Sequence, residues 1–322
     1  MAASNTTSTC LISPDFEHYN ITDLPDSVLP VWTVLAYVNG IAAPLTAVSN
    51  ALIICAVFGD QQLRSKAYTL LLAALAVGDL LVGLVVEPLY CWFFICLLKE
   101  CGMCIFTLNV VAIGICNVFS MCTLMMVSVE RYLAIELPIW HRVHVTPKRV
   151  KQTAAAIWLT LPISMITFVI LLNKHETLKK LPPLRFTLGN IALILYCTVK
   201  VAITAYSKTK TTKPKAATQQ AQQEEDHERK LQIQEFKRGL TLGILVLTSV
   251  ILYFPSIIFN IIHLVNGKDF TPEFKYIAQH IILTLINLQS FVNPFIMALR
   301  IKKIRKSLKI KITSCLSMFN GN

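Results

Sequence analysis

Residues 67–98 read AYTLLLAALAVGDLLVGLVVEPLYCWFFICLL, a run in which Asp79 and Glu87 are the only charged side chains. A bilayer core of roughly 30 Å takes about 20 apolar residues as a helix, so this run spans it with room for tilt. It is apolar on both parities, which excludes a barrel strand, where lipid-facing and inward residues alternate. Residues 31–58, 102–129, 153–173, 239–262 and 276–299 have the same character. Residues 186–207 make a weaker seventh, because they contain Lys200, whose long stem can carry its ammonium to the interface. The expected fold is an all-α membrane protein, a seven-transmembrane helix bundle.

Composition agrees. Of 322 residues, 54% are hydrophobic and 15% charged, against about 25% charged in soluble domains. That argues against a soluble globule, and the apolar content excludes disorder. The net charge of +12 is distributed unevenly. If the carboxyl terminus is inside, the connections on its side hold 21 Lys and Arg, and the opposite side holds seven. By the positive-inside rule the amino terminus is expected outside. The inner basic excess faces anionic lipid and an inner partner, so nucleic acid is not needed to explain it.

Three regions follow: an outer segment 1–30, the membrane domain 31–299, and an inner tail 300–322. The first contains Asn5-Thr6-Thr7 and Asn20-Ile21-Thr22, two N-glycosylation sequons. It has no basic start followed by a short apolar run, so the first span is expected to act as its own insertion signal. Residues 209–223 read as a solvated linker. In the tail, Arg300 to Leu308 sets apolar residues three or four apart among cations, the pattern of a short amphipathic eighth helix on membrane lipid. Cys315 beyond it is either a palmitoylation site or a free thiol.

Polar groups inside a membrane are costly and usually paired or functional. Asp79 lies midway along the second span; Asn50, Ser120, Ser290 and Asn293 lie in the first, third and seventh. A lone carboxylate in hydrocarbon takes a proton; it stays ionised only with several donors or a cation. Pro294 removes a backbone donor and leaves a carbonyl for a neighbour to satisfy. At the inner end of the third span stand Glu130-Arg131-Tyr132, then Pro138. Arg131 cannot shed its charge and needs a carboxylate near the bilayer edge. Glu130 and Glu235, at the base of the sixth span, are the two candidates, and two acids competing for one Arg make a latch. Two ordinary interfacial charges are the alternative.

Asn50, Leu75-Ala76-Val77-Gly78-Asp79, Glu130-Arg131-Tyr132 with Pro138, Trp158, Pro255 and Asn293-Pro294 stand in one order over seven spans. In that order and spacing the chain resembles the rhodopsin-like (class A) G-protein-coupled receptors, from about Val31 to Lys311. The resemblance implies a plasma-membrane receptor for an extracellular ligand that activates a heterotrimeric G protein, with arrestin and a receptor kinase as further partners. It needs no cofactor. It implies an allosteric sodium ion on Asp79, Ser120, Ser290 and Asn293; a water-filled network without an ion is the alternative. It also implies that Arg131, held at rest by Glu130 and Glu235, is released towards the G protein.

Three departures from the family pattern stand out. Met297 occupies the place of a Tyr, so the switch linking the seventh span to Tyr196 in the fifth is in doubt. Leu188 replaces a Pro. Tyr253-Phe254-Pro255 stands for Cys-Trp-x-Pro, so Tyr253 serves either as an aromatic toggle or as core. Residues 174–185 contain no Cys, so the family's usual outer disulfide cannot form; Cys10, Cys96, Cys101 and Cys104 are left to pair among themselves. The missing bridge is similar to melanocortin, lysophospholipid, cannabinoid and adenosine receptors.

The ligand pocket is expected among Glu87, Asn109, Ile113, Tyr253, Asn260, His263, Gln279 and Leu283. Ile113 stands where amine receptors carry Asp, which disfavours a biogenic amine, and the seventh span has no Lys for retinal. A transporter or channel is the rival. It would favour repeats and several acids along a path, whereas Asp79 and Glu87 are the only acids within the spans. No nucleophile elbow, phosphate loop or paired His/Glu constellation points to an enzyme.

Overall fold

The computed structural model describes residues 25–98, 104–171, 176–211, 243–262, 265 and 271–320. With no water in hydrocarbon to take up backbone groups, an apolar chain closes its hydrogen bonds within helices. In order these are α1 Val28–Phe58, α2 Gln61–Arg64, α3 Ala67–Leu81, α4 Glu87–Leu98, α5 Cys104–Glu136, α6 Pro138–His144, α7 Pro147–Leu171 and α8 Glu176–Thr211. They continue as α9 Gly243–Ile262, α10 Pro272–Arg300 and α11 Lys302–Asn320. Among the described residues six spans, α3 and α4 counting as one, are long and apolar enough to cross a membrane. The seventh is α7, 25 residues long, with no charged residue after Lys151.

The second span is continuous but uneven. A π-helical segment, Val82–Val86, joins α3 to α4. Pro88 explains it: proline lacks an N–H and its ring crowds the carbonyl of Leu84 one turn earlier, so the helix widens there. The widened turn lies hard against α1. A Cβ added at Gly83 would stand 2.7 Å from the Ala47 nitrogen and 2.9 Å from the Ala43 oxygen. Only glycine permits that approach.

Two apolar clusters fasten the bundle. The inner one gathers Leu71, Leu72, Leu75, Leu124, Val127, Leu245 and Met297 from four spans, with Ile304 of α11. The outer one is aromatic, built from Trp32, Tyr90, Phe93 and Phe94. On α7, Trp158 donates to Thr123 of α5 at 3.1 Å and stacks on Phe119, which fixes the fourth span against the third. Helix α11, the expected amphipathic helix of the tail, runs well beyond the expected stretch, to Asn320. It is held beneath α1 by Ser307, which donates to the Ala56 carbonyl at 3.2 Å.

Candidate functional site

The inner end of α5 holds a closed pair. Arg131 donates from Nε to Glu130 Oε2 at 2.5 Å and from Nη2 to Oε1 at 2.6 Å. Such forked contacts are among the strongest polar contacts a protein makes. The guanidinium also lies 4.4 Å above the ring of Tyr68 on α3, a cation–π contact in a dry place. Both charged residues are buried, at 4% exposure. His141 of α6 adds a third nitrogen, Nε2, 2.9 Å from Glu130 Oε1. Pro138 starts α6. Glu235, the second acid of the expected latch, lies outside the described residues.

The Asp79 carboxylate accepts three side-chain hydrogen bonds. Ser120 and Ser290 donate to its Oδ1 at 3.3 and 2.8 Å, and Asn293 donates to Oδ2 at 2.8 Å. All four expected residues meet in one buried cluster. Asn50 closes it from α1, donating to the Ser290 carbonyl at 3.0 Å. Oδ1 of Asn50, Oδ1 of Asn293 and Oε1 of Gln289 are buried without a donor among the described residues.

Above the cluster lies a narrow cavity with room for about one water. Ile113, Tyr253, Val82, Val86, Asn117 and Asn287 are among its walls, and Ser120 and Ser290 connect it to the Asp79 cluster. Tyr253 is buried and donates to Asn117 Oδ1 at 2.7 Å. It is thus both part of the core and a polar tie between α9 and α5.

The remaining expected pocket residues do not gather here. The Glu87 carboxyl is buried against α1, 3.5 Å from the Thr46 hydroxyl. Asn109 donates to the Val86 carbonyl at 3.0 Å, satisfying a group of the π-helical turn. Asn260 is exposed and bonds back to Ser256 of its own helix. Gln279 is half-buried, and Leu283 packs between the outer aromatic cluster and the cavity wall. The helical period places these residues along their spans but not towards a common neighbour. His263, Asn5, Asn20, Cys10 and Cys101 lie outside the described residues.

The departures from the family pattern also have places. Met297 is fully buried in the inner cluster. Tyr196 is 53% exposed and has its ring 6.1 Å from that of Tyr132, so its nearest aromatic neighbour is on the third span.

Sequence reasoning picks out Asn287, Gln289, Ser290 and Asn293 as polar groups of the seventh span but misses His280 and Thr284, which extend them into a line of inward polar groups on α10. His280 is buried in the outer aromatic cluster with Nδ1 2.9 Å from the Tyr90 hydroxyl. One turn further, Thr284 accepts from Asn39 of α1 at 2.9 Å, and Asn287 donates to Asn39 Oδ1 at 3.0 Å. Gln289 donates to Ser249 of α9 at 2.9 Å. The spacing 280, 284, 287, 290, 293 is helical, and that period was the available signal.

Comparison with known proteins adds relatives. The family described as "7 transmembrane receptor (rhodopsin family)" matches residues 49–297. Trace amine-associated receptor 7d of Rattus norvegicus is 27% identical over 310 residues, covering 87% of this chain and 82% of the relative. Trace amine-associated receptor 7f of Mus musculus is 27% identical over 311 residues, with the same coverage. These names differ from the subgroups that the missing disulfide resembles.

Proposed function

The chain belongs to the rhodopsin family of seven-transmembrane receptors and is a multi-pass G-protein-coupled receptor; from that premise we propose that the Glu130–Arg131 pair is its resting latch. A ligand docked among the outer halves of the spans favours a state in which Arg131 leaves Glu130 and engages the heterotrimeric G protein. The forked contact, buried yet at the inner end of a span, is the observation that carries this reading. The energetic requirement is modest: a ligand shifts the equilibrium by its difference in affinity for the two states. A transporter is not what the family match favours, and these relatives are receptors rather than enzymes.

Such a receptor needs no cofactor, and sodium enters as an allosteric ion. Asp79 with Ser120, Ser290 and Asn293 supplies the oxygen-rich, buried setting that a hard cation requires. The three donor-less oxygens of Asn50, Gln289 and Asn293 support this fit, because an oxygen without a donor suits a cation or a water bound to one.

The relatives' names mention trace amines. For this chain we infer another ligand class. No carboxylate is among the described residues lining the cavity, and Glu87, the nearest acid above it, is turned into α1. The amino terminus is outside, carrying glycans on Asn5 and Asn20, and the tail is inside, with Cys315 acylated; the Lys and Arg asymmetry supports this orientation in the plasma membrane. Arrestin and a receptor kinase are the further inner partners that family membership supports.

The test is GDP release from a panel of purified heterotrimers by the receptor in lipid nanodiscs, with and without arylalkylamines, nucleosides and lysolipids. Exchange above the receptor-free rate, abolished in Arg131→Ala and unchanged by the amines, is the expected result. Equal exchange by the Arg131→Ala variant would remove the latch from the mechanism.

A further inference from the structure

We infer that the outer ends of the second and seventh spans form a box for a planar, neutral aromatic group with one N–H donor, and that Trp32 of α1 fills it as a built-in occupant that favours the resting state. The box stands on its own geometry; its effect on signalling rests on the latch reading.

The walls come from two spans. Phe93 and Phe94 belong to α4, and Tyr276 and His280 belong to α10. Tyr90 of α4 joins the two sides. Its hydroxyl lies 2.9 Å from His280 Nδ1 and 3.1 Å from the His280 carbonyl, which fixes the imidazole in place. The Phe93 ring lies within 10° of parallel to that imidazole, and Phe93 and Phe94 have their centroids 5.3 Å apart. None of these contacts involves α1.

Into the box α1 delivers one indole. Trp32 is 1% exposed. Its ring lies edge-on to His280 at 4.7 Å between centroids, 5.7 Å from Phe94, and 6.3 Å from both Phe93 and Tyr276. Tilted and edge-to-face arrangements of this kind are the ones aromatic rings prefer. The indole Nε1 donates to the Tyr276 carbonyl at 3.3 Å. Trp32 is thus held by its faces, its edges and its donor, as a ligand would be. No carboxylate is among the described residues of this cluster, so the box suits a neutral ring rather than an ammonium.

Trp32 stands in the second turn of α1, which starts at Val28. Helix ends open most readily, and the Tyr90–His280 contact keeps the walls joined when the indole leaves. In this structure the box is filled and the Glu130–Arg131 pair is closed. The contacts of Trp32 therefore belong to the resting state and bias the equilibrium towards it. The same two spans carry the effect inward, since Ser290 and Asn293 of α10 bond Asp79 of α3.

The experiment uses full-length receptor in nanodiscs, with indole and with benzofuran, which has the same shape and an oxygen in place of the N–H. Trp32→Ala is expected to lower the melting temperature and to raise unliganded GDP release by about threefold or more. An apolar void of this kind takes up a small aromatic molecule. Indole at about 5 mM should reverse most of both changes in the variant. It should leave the parent unmoved, because a ring carried on its own helix loses no free-ligand entropy on seating. Benzofuran should reverse clearly less, having no donor for the Tyr276 carbonyl. If the alanine variant folds neither with indole nor without it, Trp32→Leu takes its place. No indole effect on melting of the variant, equal rescue by benzofuran, or an equal indole effect on the parent overturns the box. Release at the parent's rate in Trp32→Ala, where Glu130→Ala raises it, makes Trp32 core packing only and overturns its resting role. If Glu130→Ala leaves the rate unchanged as well, the latch reading has failed, while the melting shifts still decide the box.

Discussion

Arg131 is restrained by contacts of two kinds, a forked ion pair to Glu130 and the face of the Tyr68 ring. The pair was legible in the sequence, because an Arg at the bilayer edge requires an acid and one is adjacent. Tyr68 was not, since nothing in a linear period says which ring of another span lies 4.4 Å away. Tyr68→Ala should therefore raise unliganded GDP release, while Tyr68→Phe, which keeps the ring, should not; equal rates for the two would remove the ring from the restraint. The Asp79 set was read correctly as a group for a simple reason: polar side chains in hydrocarbon have few partners besides each other. Glu87 and Asn109 obey the same rule with nearer partners, Thr46 and a backbone carbonyl, and so left the expected pocket. For Asp79 the expected outcome is a sodium-dependent rise in melting temperature, measured against choline at equal ionic strength and lost in Asp79→Asn. A variant that keeps the full sodium effect would refute the ion site.

Among the elements, the second span shows how one proline shapes a neighbourhood. Pro88 widens the helix, the π-helical turn exposes a carbonyl that Asn109 takes, and Gly83 within that turn lets α1 approach to backbone contact. Gly83→Ala must push α1 or the turn aside, because the nearest atoms to the new methyl are backbone atoms at 2.7 and 2.9 Å. A loss of about 1–3 kcal/mol is expected from such overpacking, read as a lowered melting temperature of the purified receptor. The spans themselves were visible as apolar runs, and α5 and α8 continue past theirs, to Glu136 and Thr211, where polar side chains carry the helix into the interface. Helix α6 was not visible. Seven residues with no buried face have no periodicity to read, and the contact of His141 with Glu130 went unread for that reason.

For the molecule as a whole, the apolar runs agree with the family match, which covers residues 49–297. What composition could not reveal is how the last span is attached. Along α10, His280, Thr284, Asn287, Gln289, Ser290 and Asn293 reach three different spans, the first, second and sixth, by hydrogen bonds. In membranes such bonds average about 0.6 kcal/mol each, and they are directional where greasy contacts are not. The last span is thus zipped to its neighbours tooth by tooth, and a zipper closes again after its fabric is cut. Co-expressed as two pieces, 1–267 and 268–322, the chain should re-form a receptor that purifies as one particle through a tag on either piece, and Asn39→Leu, which removes two of the teeth, should let the pieces drift apart.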